Sequence, residues 1–216
     1  MFHIHKFTFN PFQENTYILV NDQKHAIIID PGMYEIPEFD HFFKFITDQE
    51  IKPVLLLNTH THLDHLFGNA AVMMKYKVPL AFHHLDRPVF DAAKSAGAMY
   101  NMTFVTSPPP TGYLQSDEEI KLGEDTLRVL FTPGHSPGSI CFYCEAQQFV
   151  IGGDVLFQGS IGRTDLPGGN HDDLIESIKL QLLTLQDEVI VYAGHGPETT
   201  IGQERINNPY LKGIMV

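Results

Sequence analysis

Hydrophobic and polar residues alternate along this chain with two periods, one typical of strands and one typical of helices. The two-residue period and short apolar runs predict strands at 2–9, 15–21, 25–30, 54–57, 126–131, 139–144, 148–152 and 189–192. Helical spacing predicts helices at 37–49, 64–76, 172–185 and 200–207. Proline-rich and glycine-rich segments predict loops at 105–113 and 159–170. Strands interspersed with helices indicate the α/β class.

Composition narrows the class of protein. The 216 residues suit one domain spanning 1–216, and 43% hydrophobic with 19% charged residues excludes a largely disordered chain. Lysine and arginine number 14 against 26 acidic residues, so the net charge of −12 argues against a nucleic-acid partner and a polybasic membrane anchor. The sequence has no apolar run of about 18 residues and no signal-peptide pattern at its start. The expected location is therefore the cytoplasm.

The most informative segment is Thr59–His65, with the sequence THTHLDH, directly after the apolar run 54–57. Three later segments place one histidine or aspartate beside glycine at the end of a predicted strand: PGHSPG, GGD and GHGP. Glycine lets the backbone approach a central group closely. Together the four segments supply seven candidate metal ligands: His60, His62, Asp64, His65, His135, Asp154 and His195.

Seven ligands exceed what one tetrahedral zinc ion accepts. They suit two ions about 3.5–4 Å apart that share a bridging carboxylate. Imidazole and carboxylate ligands accept zinc, iron or manganese. The prediction is two divalent metal ions, with zinc favoured and iron or manganese as alternatives.

The motif His-x-His-x-Asp-His, followed in order by His, Asp and His, resembles that of the metallo-β-lactamase-fold hydrolases. This resemblance extends from about residue 10 to the C-terminus and implies a single-domain four-layer αββα sandwich. It implies that the first ion is bound by His60, His62 and His135, that the second is bound by Asp64, His65 and His195, and that Asp154 bridges the two. Asp30, in IIDPG, resembles the early structural aspartate of the family.

Within that family the chain is most similar to the small bacterial members of the glyoxalase II group. The similarity rests on the segments GRTDLPGG at 162–169, GHGPETT at 194–200 and NPYL at 208–211. A full-length glyoxalase II carries a further helical domain that helps to bind glutathione. Because 216 − 195 leaves 21 residues after His195, that domain is expected to be absent here. Arg163 and Asp165 occupy the positions where glyoxalase II has a glutathione-binding Lys and Tyr.

The resemblance implies a thioesterase that acts on hydroxyacyl thioesters such as S-lactoylglutathione. In this hypothesis a metal-bound hydroxide held by Asp154 attacks the carbonyl carbon, and Asp64 is the second catalytic carboxylate. Arg163 is the candidate for binding an anionic part of the substrate, because guanidinium pairs with carboxylate through two hydrogen bonds. The alternative is a surface arginine. The expected partner is a small-molecule thioester, glutathione-linked or not, and the expected assembly is a monomer or a small homo-oligomer.

Two other functions are compatible with these residues. Persulfide dioxygenases of the same fold have a loop similar to 162–165 and use one iron, which His60, His135 and Asp154 would hold. A non-enzymatic binding module would retain the fold alone. Outside the motif, Cys141 and Cys144 lie three residues apart in a strand and are expected to be ordinary thiols on opposite faces. His83 and His84 are expected to face solvent.

Overall fold

The computed structural model describes residues 1–213. The strands are β1 (His3–Phe9), β2 (Glu14–Val20), β3 (His25–Ile29), β4 (Lys52–Leu57), β5 (Leu80–His83), β6 (Gly112–Leu114), β7 (Glu119–Leu122), β8 (Asp125–Phe131), β9 (Ile140–Cys144), β10 (Phe149–Gly153), β11 (Leu156–Phe157), β12 (Ser160–Ile161), β13 (Ile190–Ala193) and β14 (Thr199–Thr200). The α-helices are α1 (Ile36–Asp48), α2 (Asn69–Tyr76), α3 (Arg87–Met99), α4 (His171–Ser177) and α5 (Ile201–Asn207). None of the helices in this range is long and apolar enough to cross a membrane.

Two six-stranded sheets pack face to face. The first has the order β1-β2-β3-β4-β5-β6, and the second has the order β14-β13-β10-β9-β8-β7. β3, β4, β5 and β6 run parallel in the first sheet, whereas antiparallel pairs dominate the second. Parallel neighbours need crossover connections, and α1, α2 and α3 supply them.

The buried side chains form three layers of core. The central layer lies between the sheets and includes Tyr17, Ile27, Val129 and Phe142. The first sheet also packs against α1 and α2 through residues that include Ile28, Phe42, Leu56 and Val72. The second sheet packs against α4 and α5 through residues that include Val150, Leu174, Val191 and Ile201. The order is helix, sheet, sheet, helix, so the predicted four-layer αββα sandwich is confirmed.

The predicted and observed elements differ in two helices and in the short strands. The predicted helix 64–76 divides into a 3₁₀ turn, Leu63–His65, and α2, with Gly68 between them. The predicted helix 172–185 begins at His171 and continues after α4 as a π-helical turn, Ile178–Leu182. Six short strands were not predicted: β5, β6, β7, β11, β12 and β14. They are two to four residues long and therefore give a weak pattern.

The prediction for His83 was wrong. Its side chain is 5% exposed and stacks on Phe131, with 4.4 Å between the ring centroids, whereas His84 is exposed as expected. The apolar partner of His83 lies on the other sheet, which local sequence does not reveal. Cys141 and Cys144 are both buried free thiols, and they belong to two different core layers, so they lie on opposite faces of β9 as predicted.

Candidate metal centre

The seven candidate ligands meet at one edge of the sandwich, where four strands end. β4 leads into the segment that carries His60, His62, Asp64 and His65. β8 leads to His135, β10 to Asp154 and β13 to His195. Residues that directly follow buried strands are held on a rigid base, so side chains from distant parts of the sequence can converge with fixed geometry.

Three histidines form the first cluster. Nδ1 of His62 lies 2.8 Å from Nε2 of His135, which in turn lies 3.3 Å from Nε2 of His60. All three candidate ligand atoms fall within 4.8 Å of one another. Imidazole nitrogens that point at a common centre at this spacing can share one divalent ion.

Asp64, His65 and His195 form the second cluster, again with ligand atoms within 4.8 Å of one another. Oδ2 of Asp64 is 3.3 Å from Nε2 of His195 and 3.8 Å from Nε2 of His65. The 3₁₀ turn Leu63–His65 carries Asp64 and His65, and the His65 ring also lies beside His60, with 4.1 Å between the ring centroids. One short motif therefore contributes ligands to both clusters.

Asp154 lies between the clusters. Its Oδ2 is 3.5 Å from Nε2 of His135 in the first cluster and 3.5 Å from Nε2 of His195 in the second. Its Oδ1 is 3.5 Å from Nε2 of His65. A carboxylate in this position can bridge two ions, which is the role that the resemblance implied for it.

The donor atoms fit divalent cations. Oδ1 of Asp154 and Nε2 of His65 are buried and have no hydrogen-bond partner within residues 1–213. Buried polar atoms without a partner are costly, and a cation would satisfy both. Burial and the nearby histidines lower the pKa of His60 well below its usual range and lower the pKa of His62 to about 3. Both rings are therefore neutral, which is the protonation state that binds a metal.

Carboxylates control the charge of the second cluster. Burial lowers the pKa of His65, but Asp64 and Asp154 outweigh it, and the pKa lies well above its usual range. Burial also acts to raise the pKa of Asp64, but the facing His65 and His195 have the larger effect. The pKa of Asp64 is therefore lowered, and this carboxyl group stays ionised. A divalent cation between these groups would take the place of the proton that the carboxylates attract.

Hydrogen bonds on the far side of the rings orient the histidines. Nδ1 of His135 donates to the carbonyl oxygen of Arg163 at 2.8 Å, and Nδ1 of His195 donates to the carbonyl oxygen of Phe12 at 3.0 Å. Nδ1 of His65 lies 3.1 Å from Oδ2 of Asp30. These contacts direct each Nε2 at the centre, as in metal sites whose ligands are fixed by a second set of polar groups.

Two buried aspartates hold the backbone of the motif Thr59–His65 through hydrogen bonds. Asp30 accepts hydrogen bonds from the backbone N–H and the hydroxyl of Thr59, at 2.8 and 2.5 Å. Asp86 accepts from the N–H of Thr61 at 2.6 Å and the N–H of Gly138 at 2.7 Å, and it also binds the hydroxyl of Ser136. Asp86 therefore links the loop of His60 and His62 to the loop of His135.

Two buried carboxyl groups beside the clusters, Asp86 and Glu14, were not predicted from the sequence. Asp86 precedes α3, where an aspartate usually caps the helix, but its side chain makes no capping bond. Glu14 is fully buried, its Oε1 is 3.9 Å from Nδ1 of His65, and burial raises its pKa well above the usual range. Neither residue belongs to a motif, and their partners are distant in sequence, so no local pattern identifies them.

Glycine is required where the backbone approaches the ligands. A Cβ on Gly194 would lie 2.2 Å from Oδ1 of Asp154 and 2.9 Å from Cε1 of His65. A Cβ on Gly162 would lie 2.0 Å from the carbonyl oxygen of Asp154. The close approach predicted for the glycine-flanked segment of His195 therefore occurs at Gly194, and Gly162, which lies outside the predicted segments, makes another.

The candidate substrate contact, Arg163, lies at the mouth of a cavity of about 670 Å³ beside the clusters. Its Nε and Nη2 donate to the two carboxylate oxygens of Asp165, at 2.7 and 2.8 Å. Both side chains are largely exposed. The arginine is thus near the centre, but the two donors that would grip a carboxylate are occupied by Asp165.

A family model described as the metallo-beta-lactamase superfamily matches residues 9–195. The chain belongs to this superfamily. It is 40% identical over 205 residues to the probable metallo-hydrolase YqgX of Bacillus subtilis, with 94% of this chain and 95% of that one covered. It is 37% identical over 202 residues to the hydroxyacylglutathione hydrolase GloC of Haemophilus influenzae, with 93% of both chains covered. The chain is therefore a hydrolase-type enzyme of this superfamily.

Two solved structures of similar chains agree with the fold. The B3 metallo-beta-lactamase BLEG-1 superposes with a TM-score of 0.89 at 38% identity, over 98% of this chain and all of that one. TTHA1623, solved in a di-iron-bound form, superposes with a TM-score of 0.86 at 35% identity, over 96% of this chain and all of that one. The family resemblance inferred from the motif is confirmed, and divalent metal binding is supported by the His/Asp clusters.

Proposed function

We propose that this superfamily member is a two-metal thioesterase that hydrolyses hydroxyacyl thioesters of the S-lactoylglutathione type. The observation that supports the proposal best is the position of Asp154, with one oxygen 3.5 Å from a histidine of each cluster. In this proposal His60, His62 and His135 hold one ion, while Asp64, His65 and His195 hold the other. The GloC relative, a hydroxyacylglutathione hydrolase, supports the choice of thioester.

Two bound divalent ions would supply a nucleophilic water at neutral pH and polarise the carbonyl group of the substrate. The residues of the chain would then position the water and the metal ligands. Asp64 and Asp154 present carboxylate oxygens that orient the attacking water, and the orienting hydrogen bonds on His135 and His195 keep the geometry fixed. A thiolate leaves without needing much protonation, so the proposal requires neither a serine or cysteine nucleophile nor a separate general acid.

The second cluster favours hydrolysis over the dioxygenase alternative. A single iron on His60, His135 and Asp154 would leave Asp64, His65 and His195 with no ligand role, although their ligand atoms also lie within 4.8 Å of one another. Burying two histidines and one carboxylate costs free energy unless these groups are paired or bind a metal. In this proposal the second ion binds them.

The test is an assay of S-D-lactoylglutathione hydrolysis by protein reconstituted with zinc, iron or manganese, alongside oxygen uptake with glutathione persulfide. The proposal expects metal-dependent hydrolysis without oxygen uptake. Asp64→Ala should abolish turnover, and His84→Ala, which changes an exposed histidine outside the clusters, should not. Oxygen uptake without hydrolysis of any thioester would overturn the proposal.

A further inference from the structure

The cavity beside the two clusters has an apolar wall formed by one face of α3. Val89, Ala92 and Ala96 line the cavity at helical spacing, and Tyr100 follows just after the helix ends. Because these three side chains are small, they leave the cavity open, whereas larger side chains at the same positions would fill it. The wall begins immediately after Asp86, which fixes the start of α3 against both histidine loops.

Apolar residues outside α3 also line the cavity. Phe12, Phe157, Ile161 and Leu166 line it. The Phe12 and Tyr100 rings meet edge to face, with 5.6 Å between their centroids and planes 88° apart. Because the carbonyl oxygen of Phe12 also holds His195, this aromatic pair is built onto the metal-binding framework.

Away from the metal clusters, the cavity provides little positive charge for an anionic ligand. Among the lining residues in the described part of the chain, Arg163 alone carries a permanent positive charge, and Asp165 engages two of its donors. A glutathione moiety carries two carboxylates and one ammonium group and is therefore anionic overall, and the Arg163 guanidinium is already paired with Asp165. Unpaired carboxylates would lose hydration at the apolar walls without a compensating partner.

We propose that the cavity binds an uncharged apolar group of the substrate, such as an alkyl chain or an aromatic ring on the thiol side of the thioester. This inference rests on the proposed function, since it places the reacting carbonyl at the metal clusters and the remainder of the substrate against α3. Substrate selection then comes from burial of apolar surface between α3 and the aromatic pair. Each added methylene that becomes buried should raise kcat/KM about fourfold.

The test compares S-lactoyl esters of ethanethiol, butanethiol and hexanethiol with S-lactoylglutathione, using the metal-loaded enzyme. The three alkyl thiols have similar leaving-group chemistry, so the series isolates chain length. The inference predicts that kcat/KM rises along the series and that the hexyl ester exceeds S-lactoylglutathione. Ala92→Phe, which fills the cavity, should flatten the rise. Ala98→Phe, at an exposed position of α3 outside the cavity lining, is the matched control and should retain it.

A binding measurement keeps the inference testable even if hydrolysis fails. The probe is 1-(hexylthio)propan-2-one, an uncharged analogue that cannot be hydrolysed, measured by isothermal titration calorimetry. Ala92→Phe should weaken its binding at least about tenfold, which is the loss expected when two buried methylenes are expelled. Ala96→Leu is a second cavity variant, should Ala92→Phe not fold.

The outcomes separate the two proposals. Faster hydrolysis of S-lactoylglutathione than of every alkyl ester, with no effect of Ala92→Phe on chain-length dependence, would overturn the apolar-cavity inference and leave the thioesterase proposal standing. No hydrolysis of any thioester, with tight probe binding that Ala92→Phe abolishes, would overturn the thioesterase proposal and retain the apolar site. Failure of the probe to bind would overturn the inference.

Discussion

Replacing Asp86 with asparagine should damage one metal cluster and leave the other intact. The carboxylate receives four hydrogen bonds, from the N–H and hydroxyl of Thr61, the N–H of Gly138 and the hydroxyl of Ser136. Thr61 lies between His60 and His62, and Ser136 follows His135. All three histidines of the first cluster are therefore positioned through Asp86, whereas His65 and His195 have other supports.

The size of the effect follows from the donors that lose their acceptor. In Asp86→Asn one carboxylate oxygen becomes an NH₂ group, which leaves one buried backbone N–H without an acceptor at a cost of about 1–3 kcal/mol, while the hydroxyl on that side turns to accept from the new group. The hydrogen bonds that remain also lose the strengthening effect of the carboxylate charge. Burial raises the pKa of Asp86, so removing its charge recovers part of this cost. The expected loss is about 2–4 kcal/mol in the free energy of unfolding. The first ion should bind about 10–100-fold more weakly.

The assay has two parts. Urea unfolding of the metal-stripped protein gives the stability loss, and titration against a chromogenic chelator resolves the two binding steps. Asp91→Asn, which breaks an exposed ion pair with Arg87 on the same helix, is the matched control and should change stability by less than about 1 kcal/mol. If Asp86→Asn loses stability but binds both ions as the wild type does, the positioning argument is wrong.

Three further perturbations test other parts of the account. Gly194→Ala should reduce the metal content measured by mass spectrometry, because the new Cβ would overlap Oδ1 of Asp154. Gly112→Ala is the control, since the space around Gly112 is open, and it should keep its metal. Equal metal content in both variants would refute the close-approach argument. Asp165→Asn should lower KM for S-lactoylglutathione by releasing the Arg163 donors, and an unchanged KM would mean that Arg163 does not touch the substrate. Burial lowers the pKa of His83 from 6.5 to about 4, so the unfolded chain binds more protons between these values. As the pH falls from 6.5 to 4, His83 should therefore lower the free energy of unfolding by at most about 1.4 kcal/mol per pH unit. Urea unfolding of the chelator-treated proteins should show a shallower decline for His83→Gln than for the wild type. Identical profiles would contradict this.

The sequence predicted most of the strands and all seven converging side chains because those signals are local. A buried strand can be predicted from its apolar run. The motif at 59–65 places four potential metal ligands within seven residues. Glycine on either side of His195 marked a second close approach. In each case neighbours in the sequence were sufficient to suggest the structural role.

What the sequence did not reveal depends on contacts between distant residues. Asp86 finds its partners 25 and 50 or more residues away, so it resembled an ordinary residue before a helix. His83 is buried by Phe131 from the opposite sheet, and a polar pair of histidines gave no sign of it. The alanines of α3 face a cavity rather than a core, and a helical pattern of small residues does not distinguish the two.

The central claim is that these residues bind two metal ions bridged by Asp154. The most direct measurement is anomalous X-ray diffraction from crystals of the metal-reconstituted protein. The account predicts two peaks about 3.5–4 Å apart, one among His60, His62 and His135 and the other among Asp64, His65 and His195, with Asp154 between them. A single peak held by His60, His135 and Asp154, at full occupancy under excess metal, would contradict it.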